Sequence, residues 1–201
     1  MGQDLSRDLP MTAYALLGLL SFGDPLTGYE LKQRADRTLR YYWVSPAMSQ
    51  VYTELARLSA LGLVKARDAG PNRRSSRYRI TAKGRTRLTT WLETMPAEFP
   101  LLKHPIALRL LMGHLVDPST TTELLRDYLA ALDLRQAELR KVRESLRSAD
   151  GVGEPFRYPA LVADWGDEYY DSERAIVQSL LGRLEQEGRA QAPTRSDRAA
   201  Q

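Results

Sequence analysis

The chain of 201 residues has no cysteine and only two histidines, His104 and His114. Without cysteine it can form neither disulfides nor thiolate metal sites, a composition that suits a reducing cytosol. Neither histidine has a carboxylate pair at ligand spacing beside it, so both are expected in structural or surface roles. No apolar run approaches the roughly 18–20 residues that cross a bilayer. The opening Met-Gly-Gln-Asp-Leu-Ser-Arg-Asp carries acids where a signal peptide carries a basic segment. There is no Gly-x-Ser-x-Gly elbow and no glycine-rich phosphate loop. These absences argue against an enzyme, a membrane protein and a bound cofactor or metal, and for a cytoplasmic location. A hydrophobic content of 43% and a charged content of 27% are those of an ordinary globular protein.

What is present is an uneven distribution of charge. The chain as a whole carries +4, yet the segment 65–87 holds nine Lys or Arg against one acid, Asp68. That segment is +8, which leaves −4 on the remainder. Concentrated basic charge suggests a polyanionic partner.

The basic segment follows a stretch with helical periodicity. Met48, Val51, Leu55 and Leu58 recur at three- and four-residue steps and form one apolar face, with Ser49, Gln50, Thr53 and Arg57 on the other. Ser45 as N-cap and Pro46 in the first helical position would open this helix. Gly62 would stop it. Two strand-like runs follow, at 63–67 and 76–81, joined by a turn-rich Asp-Ala-Gly-Pro-Asn-Arg-Arg at 68–74. A polar-faced helix followed by a basic hairpin is the layout of a winged helix-turn-helix.

The rest of the chain fits that frame. Residues 11–20 are apolar nearly all round and predict a buried first helix. Thr27 can cap a second helix with Tyr29, Leu31 and Ala35 inward, and 39–44 predicts a connector or a short strand completing the wing sheet. Thr81 caps a fourth helix with Leu88, Trp91, Leu92 and Met95 on one face. Three prolines within 95–105 mark a domain boundary. A short helix over 106–115, a Thr-rich break at 119–122 and a long helix over 123–149 follow. The long helix bears a near-heptad seam interrupted at Arg135-Gln136. Pro159 opens a last helix with Leu161, Trp165, Tyr169, Ile176, Leu180 and Leu184. The expected organisation is therefore mainly α: a DNA-binding winged helix-turn-helix with a small β-wing over 1–95, a coiled-coil-like helical dimerisation domain over 96–187, and a disordered tail over 188–201. A helical pair with an unpartnered apolar seam is most simply buried against a second copy, and a two-fold homodimer is the commonest arrangement.

The expected DNA-binding residues are Ser49, Gln50, Tyr52, Thr53 and Arg57 on the third helix and Arg73, Arg74 and Arg77 on the wing. Gln pairs with adenine and Ser or Thr with several bases, whereas the wing arginines suit phosphates or the minor groove. Trp91, Trp165 and Tyr169 are the candidate lining of a pocket for a small aromatic effector, since aromatics commonly wall such sites. The carboxylates Asp164, Asp167, Glu168 and Asp171 share one side of the last helix; a solvated acidic face accounts for them better than a metal site.

The phrases Tyr14-Ala-Leu-Leu-Gly-Leu-Leu, Thr27-Gly-Tyr-Glu-Leu, Ser49-Gln-Val-Tyr-Thr-Glu-Leu-Ala-Arg-Leu with Gly62-Leu-Val, and Arg77-Tyr-Arg-Ile-Thr-Ala-Lys-Gly with Trp91 resemble, in that order, the PadR family of bacterial transcriptional regulators. The resemblance covers about residues 11–95, and Tyr52 falls where the family has an equivalent tyrosine. Residues 100–187 look like the C-terminal domain of the longer, virulence-activator type. The resemblance implies a homodimer, usually a repressor, on an inverted repeat of double-stranded DNA. In some members a small aromatic or cationic molecule relieves binding, a property no residue here carries over. The alternative from another class is a winged-helix protein–protein interaction module that does not bind DNA; the basic wing, and a third helix whose only acid is Glu54, weigh against it.

Overall fold

The structure, a computed structural model, describes residues 9–67, 76–96 and 103–191. It divides into two compact units, residues 1–99 and 100–201.

In the first unit, α1 (Met11–Leu20) is apolar on almost every side and buries Ala13, Tyr14, Leu16, Leu17, Leu19 and Leu20. Around it pack α2 (Gly28–Thr38), through Leu31 and Ala35, and α3 (Met48–Ala60), through Val51, Leu55 and Leu58. Tyr29, expected inward, is 57% exposed. Thr27 caps α2 in a full capping box: its hydroxyl accepts the Glu30 N–H at 3.1 Å, and the Glu30 carboxylate accepts the Thr27 N–H at 2.8 Å.

The start of α3 differs from expectation. Ala47 is the N-cap, and Ser45 instead donates its hydroxyl to Asp36 Oδ1 at 2.6 Å, a carboxylate that Lys32 also engages. The end of α3 is a Schellman turn. Gly62, at φ +69°, carries the left-handed residue, with Leu63 N–H bonded to Leu58 O at 2.9 Å and Gly62 N–H to Ser59 O at 3.0 Å.

The wing sheet has three strands: β1 (Leu26–Thr27), β2 (Val64–Arg67) and β3 (Arg77–Ile80), in the order β1-β3-β2, all antiparallel. The third strand is thus the pair of residues before α2. Residues 39–44, expected as a candidate for that role, begin with a 3-10 turn, Leu39–Tyr41. β1 is short because Pro25 has no N–H to extend the ladder and Thr27 must turn into α2.

Thr81 caps α4 (Ala82–Thr94), accepting Gly84 N–H at 3.0 Å, while its own N–H bonds Leu63 O. Leu88 and Trp91 of α4 pack on the core, whereas Leu92 and Met95, expected beside them, are exposed.

The second unit is a long antiparallel helical hairpin of α6 (Pro118–Ser145) and α7 (Arg157–Gln191), preceded by the short α5 (Pro105–Leu111). The Thr-rich stretch expected as a break lies in the first turns of α6, which opens at Asp117 with Pro118 in its first position. Helix α7 continues to Gln191, into the stretch expected as tail from Gly188.

The faces of the hairpin also differ. The α6 seam is Leu125, Leu132, Gln136 and Leu139, so Gln136 occupies a core position and is 2% exposed. On α7 the buried face combines the small Ala160, Ala163 and Gly166 with Tyr170, Glu173 and Val177. The large apolar residues Tyr158, Leu161, Trp165, Tyr169 and Ile176 lie on the outside, between 45 and 74% exposed.

Candidate nucleic-acid interface

Helix α3 is anchored by Val51, Leu55 and Leu58 and turns Ser49, Gln50, Thr53, Ala56 and Arg57 to solvent. Three of these side chains are already oriented. Gln50 Oε1 accepts the Ala47 N–H at 2.9 Å, which ties the carbonyl half of the amide to the helix start and leaves the NH2 to donate. Thr53 gives its hydroxyl hydrogen to Ser49 O at 2.9 Å, so its oxygen faces outward as an acceptor. Arg57 Nε lies 3.1 Å from Oε2 of the buried Glu54, an ion pair off the line of a good hydrogen bond. Tyr52 is half-buried over Gly28, where a Cβ would come within 2.6 Å of its ring. A glycine at the first position of α2 therefore makes room for the tyrosine.

The wing supplies the charge. Directly opposed residues of an antiparallel pair share a face, and here Lys65 stands opposite Arg79 and Arg67 opposite Arg77. Val64 and Ile80 take the other face, toward the core. The outer face of the two strands is thus four exposed basic side chains, two like-charged pairs that work against strand pairing. Among the described residues Lys65, Arg67 and Arg79 make no ion pair. Arg77 does: Nη1 donates to Pro25 O at 2.8 Å and Nη2 to Glu30 Oε1 at 3.1 Å. The Glu30 carboxyl is held below its ordinary range, first by the Thr27 backbone N–H and, against some desolvation, by the Thr27 hydroxyl and Arg77. Arg73 and Arg74, with the turn at 68–74, lie outside the described residues.

The candidate effector residues fall in both units. In the first, Trp91 stacks on Tyr14 with ring centroids 4.6 Å apart. In the second, Trp165 and Tyr169 lie on the outer face of α7. Three of the α7 carboxylates, Asp164, Asp167 and Asp171, are engaged by basic and amide side chains of the hairpin. Arg140 Nε donates to Asp167 at 2.7 Å, Arg143 Nε to Asp164 at 2.6 Å, and Gln136 Nε2 to both Asp167 and Asp171 at 2.8 Å. Arg174 bridges Asp171 at 2.7 Å and Asp133 at 2.8 Å and donates to Gln136 Oε1.

One further cluster gave no signal in the sequence. His104 caps α5, its Nδ1 accepting Ala107 N–H at 3.2 Å, so the ring hydrogen sits on Nε2 and points at Glu173 Oε1, 2.8 Å away. Tyr128 donates to the same oxygen at 3.2 Å, and burial, then the Glu173 charge, push its hydroxyl far above the ordinary range. Tyr128 stands 24 positions from His104 and 45 from Glu173, and no spacing rule joins the three.

A three-helix core, a basic two-stranded wing and an oriented polar face on α3 define a winged-helix protein with an added helical unit. Residues 16–90 match the transcriptional regulator PadR-like family, and residues 102–185 match the virulence activator alpha C-terminal family. The two matches take in most of the chain, which belongs to the PadR-like transcriptional regulators carrying a virulence-activator-type C-terminal domain. It is accordingly a regulator and not an enzyme.

Similar solved structures include Bacillus subtilis PadR in complex with operator DNA, with a TM-score of 0.74 and 23% identity over 87% of this chain and 99% of that one. The B. subtilis PadR complex with p-coumaric acid gives 0.72 and 23% over 88% and 99%. The Vibrio cholerae virulence activator AphA gives 0.66 and 19% over 86% and 97%. At these identities the likeness is one of fold. No curated protein matches the sequence. Among the described residues, no helix is long and apolar enough to cross a membrane.

Proposed function

We propose that the chain is a homodimeric, sequence-specific DNA-binding repressor that engages an inverted-repeat operator in the cytoplasm. The observation that carries this reading is the outer face of the wing. Lys65, Arg67 and Arg79 are exposed and make no ion pair among the described residues, with Lys65 opposed to Arg79 and Arg67 to Arg77, an arrangement that costs stability unless a polyanion offsets it. Helix α3 enters the major groove with Ser49, Gln50 and Thr53 toward base edges and Arg57 and Tyr52 toward the backbone. Arg73 and Arg74, which lie between the two strands in the sequence, add two further positive charges to this segment.

The dimer reading rests on α7, whose outward face carries Tyr158, Leu161, Trp165, Tyr169 and Ile176. An apolar stripe of that length marks an interaction surface, and a second copy covers it most simply. Two reading heads then meet half-sites about one helical turn, or a multiple of it, apart. A small aromatic effector, the kind of molecule bound in the B. subtilis PadR complex, is proposed to relieve binding, with Trp91, Trp165 and Tyr169 as the residues to test.

The deciding experiment is fluorescence anisotropy with a labelled duplex from the region upstream of the chain's own coding sequence, at two salt concentrations and with unrelated DNA as competitor. Tight, competitor-resistant and salt-sensitive binding is expected. Replacing Lys65, Arg67 and Arg79 together by Ala should weaken binding to every sequence and lower the salt slope by about 0.9 for each phosphate no longer neutralised. Gln50→Ala should instead relax preference at one base position, by less than the roughly 1–3 kcal/mol of a bidentate pair because only its NH2 is free to donate. No binding at low salt would replace this reading with that of a protein-interaction module.

A further inference from the structure

Arg77 differs from the other basic residues on the wing face. Lys65, Arg67 and Arg79 make no ion pair among the described residues, whereas the Arg77 guanidinium is spent on two partners of its own chain, Pro25 O and Glu30 Oε1. Glu30 in turn divides its oxygens: Oε2 accepts the Thr27 N–H that closes the α2 cap, and Oε1 takes Arg77. Thr27 is also the residue opposite Arg77 in the β1–β3 ladder. One short constellation thus joins the start of α2, the two-residue strand β1 and the base of the wing. A two-residue strand offers few ladder bonds, so side chains must fix the angle at which β3 leaves the core.

From this geometry we infer that Arg77 and Glu30 form a clamp that positions the wing for DNA, with Arg77 acting through β3 and not as a phosphate contact. The inference rests on the DNA-binding reading above and assigns to Glu30, beyond its place in the α2 cap, a part in holding the wing. It gives the two residues a shared sign. Removing a negative charge near a DNA surface strengthens binding when the charge does nothing else; removing half of a clamp weakens it. A lysine at position 77 keeps the charge a phosphate contact needs, but its single ammonium lacks the planar fork that serves the Pro25 carbonyl and the Glu30 carboxylate together.

The test uses the full chain, the fluorescent upstream duplex and an unrelated duplex, each titrated across a salt series. Glu30→Gln is the informative variant, because Gln also completes a capping box. The clamp requires that Glu30→Gln and Arg77→Lys each weaken binding to both duplexes several-fold, with the wild-type salt slope, and that the double variant be no weaker than the worse single one. Hydrogen exchange should quicken in β1 and β3 and stay as in wild type in α1 and α3. Equal or tighter binding by Glu30→Gln overturns the clamp. So does wild-type affinity of Arg77→Lys, or Arg77→Met flattening the salt slope by about one, since each makes Arg77 a phosphate contact. Loss of exchange protection throughout the first unit assigns the pair to general stability and overturns it too. Failure of the wild type to bind either duplex at low salt overturns the DNA-binding reading itself, an outcome distinct from all of these.

Discussion

Gly84 carries the joint between the wing and α4. A Cβ there would meet Leu63 O at 2.1 Å and Ile80 Cγ1 at 2.9 Å, and the first of these is backbone that cannot swing aside. Thr81 binds the same carbonyl through its N–H, so the junction is held from two sides. Gly84→Ala should destabilise the protein by about 1–3 kcal/mol, the usual cost of overpacking; a lower thermal midpoint by circular dichroism checks this. At this scale the capping residues were legible in the sequence. Thr27 and Thr81 are caps because a hydroxyl before a helix has orphan N–H groups to bind. Ser45 has the same chemistry, and the nearby Asp36 takes its hydroxyl instead. Side-chain partners contributed by other elements were not legible, Arg77 and Glu30 being 47 positions apart.

Among the elements, α6 and α7 combine buried apolar residues such as Leu125, Leu132 and Leu139 with a buried polar network. Buried Gln136 donates to Asp167 and Asp171, and arginines on both helices extend the network. Gln136, and then Arg174, hold the Asp171 carboxyl below its ordinary range, while burial opposes them. A carboxyl with a depressed folded pKa adds stability that is present in full above the unfolded value, about 3.9, and is lost as pH falls through the folded one. The helical signal should therefore hold through mildly acidic pH and fall in a transition starting below about pH 4. Gln136→Leu should move that transition to higher pH. A pH titration followed at 222 nm checks both, and an unchanged transition in the variant would show that the network does not set acid stability.

For the whole molecule, the proposed dimer is tested at the outer stripe of α7. Trp165→Glu places a charge in the centre of the apolar face between Leu161 and Tyr169 without touching the α6 side of the helix. Sedimentation velocity should report a dimer for the wild type and a 22.7 kDa monomer for the variant, and specific DNA binding should weaken sharply because two half-sites are no longer read together. A variant that stays dimeric would remove α7 from the interface.

The sequence by itself determined the succession of the main helices, the β2–β3 hairpin, the apolar anchors of α1 and α3 and the basic charge of the wing. Each of these follows from local periodicity, turn residues or charge counts, which need no knowledge of distant neighbours. Only the tertiary structure decided which face of α7 meets α6, that Gln136 lies inside, that residues 26–27 form the third strand, and that Arg77 is held by Glu30. The physical reason is shared by all four. Periodicity shows that a helix has an apolar stripe, but close approach to α6 favours Ala160, Ala163 and Gly166 over large side chains. A polar or charged group likewise takes its role from whichever partner the fold brings within hydrogen-bonding distance.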